Sequence, residues 1–239
     1  MDLGIAGKVA LVTAASKGLG RGSAQALSEE GVSVVICARG EEALNEAAEG
    51  MPGEVHAVVA DVTRPEVPEQ LVDAAVERFG RLDILVANAG GPPPGRALDV
   101  DDDALRAALE ANLLTSVRLV RGAVPHMRAG GWGRICLITS SSIKQPIPTL
   151  ALSNTARTAL WAWAKTAAAD LFTEGITLNL ASPGIHATDR MKQLIGLGAG
   201  AHGDPADFGR VVAFLCSQPA GFVSGTALQV DGAATLGLL

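Results

Sequence analysis

The feature that most constrains this chain is an alternation of short apolar runs with longer helical patterns from one end to the other. The apolar runs show no two-residue alternation, which is typical of strands covered on both faces of a parallel sheet. Strands are predicted at Lys8–Thr13, Ser33–Ala38, His56–Ala60, Ile84–Ala87, Gly133–Thr139, Thr177–Ala181 and Ala227–Val230. Helices are predicted at Leu19–Glu30 (with Ala24, Leu27 and Ser28 facing inward), Glu41–Glu49, Pro65–Phe79, Asp102–Arg128 with room for one break, Leu152–Thr173 and Pro205–Ser217. The pattern predicts a doubly wound α/β fold, an αβα sandwich whose ligand site lies at the carboxyl ends of the strands.

Composition narrows the class of protein further. The 239 residues, 48% of them hydrophobic, suffice for one large domain spanning residues 1–239. No apolar run reaches the roughly 18 residues that cross a bilayer, and the first run, Val9 to Val12, is too short for a signal peptide, so a cytoplasmic protein without a membrane partner is expected. A net charge of -6 without a Lys/Arg cluster argues against a nucleic-acid partner. No metal site is predicted, and the widely spaced Cys37, Cys136 and Cys216 are expected to be free thiols, buried at least in the strand-like runs of the first two.

A glycine-rich turn between the first strand and the first helix points to a phosphate-binding site. The turn runs from Thr13 through Ala14, Ala15, Ser16, Lys17, Gly18 and Leu19 to Gly20. The glycines let the backbone approach a pyrophosphate, and the helix N-terminus supplies free N–H groups. Taken alone, the turn is equally consistent with a plain structural connection.

Further residues at later strand ends strengthen the cofactor interpretation. Asp61 and Val62 follow the third strand, where the carboxylate is placed to hold an adenine ring. Asn88, Ala89 and Gly90 follow the fourth strand, and the sixth is followed by Pro183, Gly184 and Thr188. With Asn112, Ser140 and the Asp231-Gly232 pair, this order of motifs resembles the classical short-chain dehydrogenase/reductase family over almost the whole chain. The resemblance implies a Rossmann-type fold and a nicotinamide dinucleotide held by Thr13, Ser16, Lys17, Gly18, Leu19, Gly20, Arg39, Asp61, Val62, Asn88, Ala89, Gly90, Pro183, Gly184 and Thr188.

Two cations bear on the choice between NADP(H) and NAD(H). Lys17 precedes Gly18, and Arg39 follows the second strand where an acidic residue would bind a ribose 2′-hydroxyl. Both resemble the family members that prefer NADP(H), because a cation suits a 2′-phosphate. The alternative is that both are solvated surface charges. Ala14 departs from the family, which usually has the first glycine of the turn there, and a slight weakening of cofactor binding is expected.

The catalytic end departs from the family more strongly. The family uses Ser, Asn and a Tyr-x-x-x-Lys pair, but this chain has no tyrosine. Counting back from Trp163-Ala164-Lys165-Thr166 places Ser153 at the Tyr position and Arg157 at the Lys position, with Ser140 and Asn112 at the Ser and Asn positions. This pattern resembles a divergent subgroup similar to β-ketoacyl carrier-protein reductases. Arg157 can still hold ribose hydroxyls but cannot relay protons, and Ser153 is a short and very weak acid. Lys144, His186 and His202 are alternative donors, each more simply explained as an exposed side chain.

The resemblance also implies a mobile substrate lid at 189–204, with four glycines and Met191, Leu194, Ile195 and Leu197 as apolar contacts. Apolar surface on the helices that carry Val117 and Trp163 predicts a homodimer or homotetramer. Three functions remain open. The first is an NADP(H)-dependent oxidoreductase acting on a small carbonyl or alcohol substrate with an atypical proton donor. The second is a non-redox enzyme of the same fold, and the third is a nucleotide-sensing binding protein.

Overall fold

The computed structural model describes residues 1–196 and 202–237. Seven strands form one parallel sheet in the order β3-β2-β1-β4-β5-β6-β7. Their bounds are β1 Val9–Thr13, β2 Ser33–Ala38, β3 Val55–Val59, β4 Ile84–Ala87, β5 Gly133–Ile138, β6 Ile176–Pro183 and β7 Ala227–Val230. The chain winds outward in both directions from β1 and β4, so the predicted doubly wound sheet is confirmed and its switch point lies between these two strands.

Helices cover both faces of the sheet. Their bounds are α1 Gly18–Glu29, α2 Glu41–Glu49, α3 Val67–Phe79, α4 Asp102–Leu109, α5 Thr115–Ala129, α6 Ala151–Phe172, α7 Asp189–Ile195 and α8 Pro205–Leu215. Helices α1, α2 and α8 pack on one face of the sheet, and α3, α5 and α6 pack on the other. Successive side chains of a strand pack alternately into the cores on the two faces of the sheet, as those of Ala10 and Leu11 do. The strands are therefore apolar at every position.

The predicted break in the long helix after Asp102 is a π-helical turn. Glu110–Leu114 joins α4 to α5, and the Thr115 N–H donates to the carbonyl of Glu110. Pro125 lies within α5 without ending it. A π turn inside an α-helix often marks a functional position. Here it contains Asn112.

Short-range signals set several helix starts. The Asp204 carboxylate accepts from the Ala206 N–H and Pro205 takes the first helical position, so α8 begins where the sequence predicts. Thr188 caps α7 by accepting from the Met191 N–H at 3.3 Å. This seven-residue helix occupies the start of the predicted lid at 189–204, whereas Leu197 and the rest of 197–201 lie outside the described residues.

Several smaller predictions are confirmed. Ala24, Leu27 and Ser28 are buried on the inner face of α1, and all three cysteines are buried free thiols. None of the helices in the described ranges combines the length and the apolar character needed to cross a lipid bilayer.

Candidate active site

The glycine-rich turn lies at the switch point of the sheet. The Thr13 hydroxyl donates to the Asn88 carbonyl at 2.7 Å and accepts from the Asn88 N–H at 2.9 Å, which ties the ends of β1 and β4 together. The Asn88 side chain donates to the carbonyl of Ala14 at 3.4 Å. A Cβ at Gly20 would lie 2.3 Å from that same carbonyl oxygen, so only glycine allows α1 to approach the turn this closely. Thr13, Asn88 and Gly20 therefore form one packed unit.

Ala14 adopts a backbone conformation that favours glycine. Its φ is +49°, in the left-handed region, where a Cβ crowds the following carbonyl. The family's usual glycine at this position is explained by that conformation. The chain keeps the turn despite the alanine.

The start of α1 lies next to Thr188 and borders a cavity. Gly18 has φ +59°, and a Cβ built there would meet the Thr188 methyl group at 3.4 Å. Ser16 and Leu19 are half-buried, and Lys17 is exposed at the N-terminus of the helix. A cavity of about 390 Å³ adjoins this turn, between α1 and the residues Ala187–Asp189 and Asp204–Ala206. Free N–H groups at the start of α1 thus border an accessible space of a size suited to a ligand group.

Arg39 and Asp61 lie near one another at the adjoining end of β2 and β3. Hydrogen bonds from the Thr63 hydroxyl and N–H lower the pKa of Asp61, and the Arg39 and Arg64 cations lower it further. Arg39 is exposed, Asp61 is half-buried and Val62 is buried. The carboxylate is already hydrogen-bonded to Thr63 in the same loop, while the Arg39 guanidinium forms no ion pair with any described carboxylate.

On the far side of the switch point, the end of β6 packs against the loop after β7. Pro183 is the last residue of β6, and the Gly184 N–H donates to the Val230 carbonyl at 3.0 Å. A Cβ at Gly184 would lie 2.7 Å from the Cβ of Asp231. The glycine at this position therefore serves close packing.

Three predicted catalytic side chains lie on different elements: Ser140 follows β5, Asn112 lies within the π turn, and Ser153 lies in the first turn of α6. The Ser140 hydroxyl accepts from the Ser142 N–H at 3.1 Å and so begins a short 3₁₀ turn, Ser141–Ile143. The Asn112 amide donates to the Ala108 carbonyl at 3.4 Å, but its oxygen is buried without a partner among the described residues. Ser153 is buried near the start of α6, and no hydrogen bond of its hydroxyl is found among the described residues. Buried oxygens without partners carry a free-energy penalty that a bound ligand or water can offset.

Arg157 is turned into the protein. Its Nη1 donates to the carbonyls of Ile138 and Thr139 at 3.0 Å each, and its Nη2 donates to the Ala89 carbonyl at 3.4 Å. Burial, together with the nearby Arg190 cation, lowers the pKa of Arg157 to about 10. The side chain therefore joins α6 to the ends of β4 and β5. Two of its five N–H donors have no acceptor among the described residues.

The loop after β4 is held at three points. Arg157 binds the Ala89 carbonyl, and Arg190 of α7 donates to the Pro92 carbonyl at 2.8 Å. Gly95 pairs with Leu150 at the start of α6. Gly90 lies between the first two points, and a Cβ added there would meet no described atom within 4 Å, so the backbone is open to a ligand. Arg190 escaped prediction because nothing in its local sequence shows that α7 reaches this loop.

The alternative proton donors are engaged elsewhere. His186 is buried; its Nδ1 lies 3.2 Å from the Gly184 carbonyl and its ring packs edge-on against Phe208 at 5.2 Å. The Lys144 ammonium lies over the Trp161 ring at 5.6 Å. His202 is half-buried beside the undescribed segment. The interpretation of His186 as an exposed side chain is wrong, because Phe208 and Gly203 cover it.

Comparisons with known proteins identify the family. A family-wide sequence pattern described as enoyl-(acyl carrier protein) reductase matches residues 13–235. The chain is 31% identical over 245 residues to human "Dehydrogenase/reductase SDR family member 4", covering 95% of this chain and 87% of that protein. It belongs to the short-chain dehydrogenase/reductase family of oxidoreductases.

Two solved structures have the same fold. One is L-sorbose reductase from Gluconobacter frateurii complexed with NADPH and L-sorbose, with 31% identity, a TM-score of 0.89 and coverage of 97% of this chain and 98% of that chain. Another is 7α-hydroxysteroid dehydrogenase complexed with NADH and 7-oxo glycochenodeoxycholic acid, with 28% identity, a TM-score of 0.92 and coverage of 100% and 98%. The two relatives therefore bind different nicotinamide cofactors.

The residues of this chain fit such a cofactor. The packed turn around Gly20, the exposed N-terminus of α1 and the open backbone at Gly90 leave room along the carboxyl edge of β1 and β4. The Asn112 oxygen and the Ser153 hydroxyl, neither of which has a hydrogen-bond partner in residues 1–196 and 202–237, lie on elements that pack against one another, the π turn and α6. The cofactor edge and the polar end of α6 adjoin through Ala89 and Arg157.

Proposed function

We propose that this protein is an NADP(H)-dependent oxidoreductase that interconverts a carbonyl and an alcohol with an atypical proton donor. The observation that carries the proposal is the Arg157–Ala89 hydrogen bond, which joins the loop at the carboxyl end of β4 to α6, the helix that carries Ser153 and packs against the π turn with Asn112. Family membership supports the reaction class. The substrate is a small molecule, and the cytoplasm is the expected compartment.

The chemistry of the cofactor and of each side chain indicates its role in the proposed reaction. A bound nicotinamide supplies or accepts the hydride. Ser140 keeps its hydroxyl proton available, because its oxygen accepts from Ser142, and it can orient a substrate oxygen. Ser153 and the free oxygen of Asn112 can hold a water that delivers the proton in place of a phenol. Loss of a general acid costs about 10²–10⁴ in rate, so slow turnover is expected.

The missing phenol can be restored. In the Ser153→Tyr, Arg157→Lys double variant the family's pair is complete, and we expect ketone-dependent NADPH oxidation, followed by absorbance, to exceed that of the parent. Ser153→Phe with Arg157→Lys is the matched control, since it adds the ring without the hydroxyl. Circular dichroism reports whether each variant is folded. A folded double variant that binds NADPH but oxidises none in the presence of ketone would refute the redox proposal.

The preference for NADP(H) rests on Arg39. Its guanidinium is exposed at the end of β2 without a carboxylate partner among the described residues, so it is available for a 2′-phosphate. We expect Arg39→Ala to weaken NADPH binding at least tenfold and leave NADH binding unchanged, as measured by cofactor fluorescence. Arg64→Ala is the control, because Arg64 also acts on Asp61 but is paired with Glu66 at 2.7 Å. Equal losses for both cofactors would contradict the assignment.

A second candidate is a non-redox reaction of the same pocket. The hydroxyls of Ser140 and Ser153 and the amide N–H of Asn112 are the donors that could polarise a carbonyl, and together with the absence of a phenol they favour dehydration, cyclisation or isomerisation. This candidate predicts product formation without a change in NADPH absorbance. Product analysis by mass spectrometry alongside the absorbance assay separates the two reactions.

The assembly is proposed to be a homodimer or homotetramer. Helices α5 and α6 border a groove of about 260 Å³ lined by Val120, Val124, Pro125, Trp163 and Leu171 together with Arg121, Arg128, Ala167 and Asp170. An apolar groove with a charged rim suits a two-fold contact with a second copy. Light scattering is expected to give at least twice the mass of one chain at micromolar concentration. A monomer would refute this.

A further inference from the structure

Two arginines at the catalytic end have no acidic partner among the described residues. Arg157 and Arg190 bind carbonyls of one loop, Ala89 and Pro92, so their guanidinium groups lie on the same short segment of backbone. Neither belongs to any ion pair of residues 1–196 and 202–237. Asp189, the carboxylate next to Arg190 in sequence, is paired with Lys192 at 3.4 Å. The loop thus gathers two cations whose charge the described protein does not neutralise.

The two guanidinium groups interact electrostatically. Arg190 is the charged group that acts on Arg157, and its repulsion, after burial, lowers the pKa of Arg157. Like charges brought together without a counter-ion destabilise each other, and an anion placed between them would remove that cost. This arrangement favours a ligand with a negative charge.

Arg190 is also held in place for binding. Its guanidinium lies against Gly91, where an added Cβ would come within 3.1 Å of Nη2 and 3.2 Å of Nε. Nη2 donates one hydrogen to the Pro92 carbonyl, no other hydrogen bond of the guanidinium is found among the described residues, and Arg190 as a whole is exposed. A guanidinium edge with two parallel N–H groups matches the geometry of a carboxylate. The side chain is therefore oriented before a ligand arrives.

We propose that Arg190 binds a carboxylate of the substrate, so that the protein acts on an oxo acid or a hydroxy acid. This inference rests on the proposed function for the reacting carbonyl, but the anion site itself is independent of any turnover. The buried Arg157, which binds the Ala89 carbonyl of the same loop, adds positive potential, and the hydroxyls of Ser140 and Ser153 are proposed to bind the reacting carbonyl.

Matched pairs of acids and esters test the charge alone. We would titrate the NADPH-loaded and the unloaded protein by calorimetry with 2-oxobutanoate, 3-oxobutanoate, 4-oxopentanoate and their methyl esters, and with L-sorbose as a neutral ketose. At least one acid is expected to bind tenfold or more tightly than its ester at low ionic strength, and salt should reduce the difference. Equal binding of every acid and ester would overturn the proposal, and so would tight binding of dihydroxyacetone phosphate with no binding of the acids.

Two variants locate the site. Arg190→Gln is expected to abolish the preference for the acid and to leave NADPH affinity unchanged. Lys192→Gln removes one positive charge from the same helix, and it should leave the preference intact. If Arg190→Gln instead weakens NADPH itself, Arg190 serves the cofactor phosphates and the proposal is wrong. Equal turnover of neutral ketones and keto acids would support the oxidoreductase proposal and refute the carboxylate site at Arg190. Binding of acids without any turnover would support the carboxylate site and count against the oxidoreductase proposal.

Discussion

Replacing Arg157 by lysine tests whether this side chain holds the ends of β4 and β5 together. The lysine nitrogen lies about one bond closer to the main chain than Nη1, so it can reach one of the two carbonyls at 3.0 Å but not both, and not that of Ala89. A hydrogen bond to a charged group contributes about 1.5–3 kcal/mol. Loss of the other two bonds is expected to lower the free energy of unfolding by about 3 kcal/mol or more.

The assay is urea unfolding of the protein without cofactor, followed by circular dichroism. With a slope of about 3 kcal/mol/M the midpoint should fall by roughly 1 M. Arg128→Lys is the control, because Arg128 is half-exposed in a surface pair with Glu174, and such pairs contribute about 0–1 kcal/mol. If Arg157→Lys leaves the midpoint unchanged but weakens NADPH binding, the side chain grips the cofactor ribose and the reasoning from its three carbonyl partners is wrong.

Three further predictions concern strain, thiols and alkaline stability. Ala14→Gly removes a Cβ from a residue with left-handed φ, which should raise the free energy of unfolding by about 1–2 kcal/mol, while the added backbone entropy of glycine lowers it by about 0.5–1 kcal/mol. Urea unfolding should therefore show a net increase of about 0.5–1 kcal/mol, and a decrease would contradict this reasoning. At pH 8 an aromatic disulfide reagent should label no cysteine of the folded protein and three in urea; labelling of the folded protein within minutes would show that a thiol is accessible. Burial raises the pKa of Cys37 to about 11 from 9.0, so its contribution to stability is full below pH 9 and falls as pH rises toward 11, by ~2 kcal/mol at pH 10.5. The lowered pKa of Arg157 acts in the opposite sense above pH 10, because the unfolded chain then binds more protons than the folded one. Cys37→Ala should reduce the loss of stability measured between pH 8 and 10.5, and an unchanged loss would exclude Cys37 as its source.

The fold could be predicted from the sequence because apolar runs and turn residues are local signals. The bounds of β2, β4, β7 and α2 are as predicted, and most other bounds differ by one or two residues. Helix α7 was missed because it is short and leads into a glycine-rich segment. The capping hydroxyl of Thr188 and the acidic Asp189 in the first turn are the local signals that mark its start.

The elements that carry the candidate site could be predicted from the sequence, but the directions of its side chains could not. Spacing predicted Ser140 after the fifth strand, Asn112 in the long helix after Asp102, and Ser153 and Arg157 in the next long helix, and the structure has them on those elements. The direction of Arg157 depends on the carbonyls of Ile138, Thr139 and Ala89, which are brought together by the pairing of β4 with β5. The burial of His186 depends likewise on Phe208, a residue of another element. Such contacts have no local signature, so the side chains can be named from the sequence while their partners cannot.

The π turn at Glu110–Leu114 has a consequence for how the gene can change. One additional residue in a helix rotates everything beyond it by about 100°, because each residue of an α-helix advances the chain by that angle. Here the rotation lets Ala108 pack toward α6 while Leu119 packs into the core on the sheet. Loss of a single codon from this stretch would give a continuous α-helix. Either the Ala108 face or the Leu119 face would then be exposed to solvent, and Asn112 would be displaced. Substitutions along this stretch are therefore expected to be tolerated more readily than any change in its length.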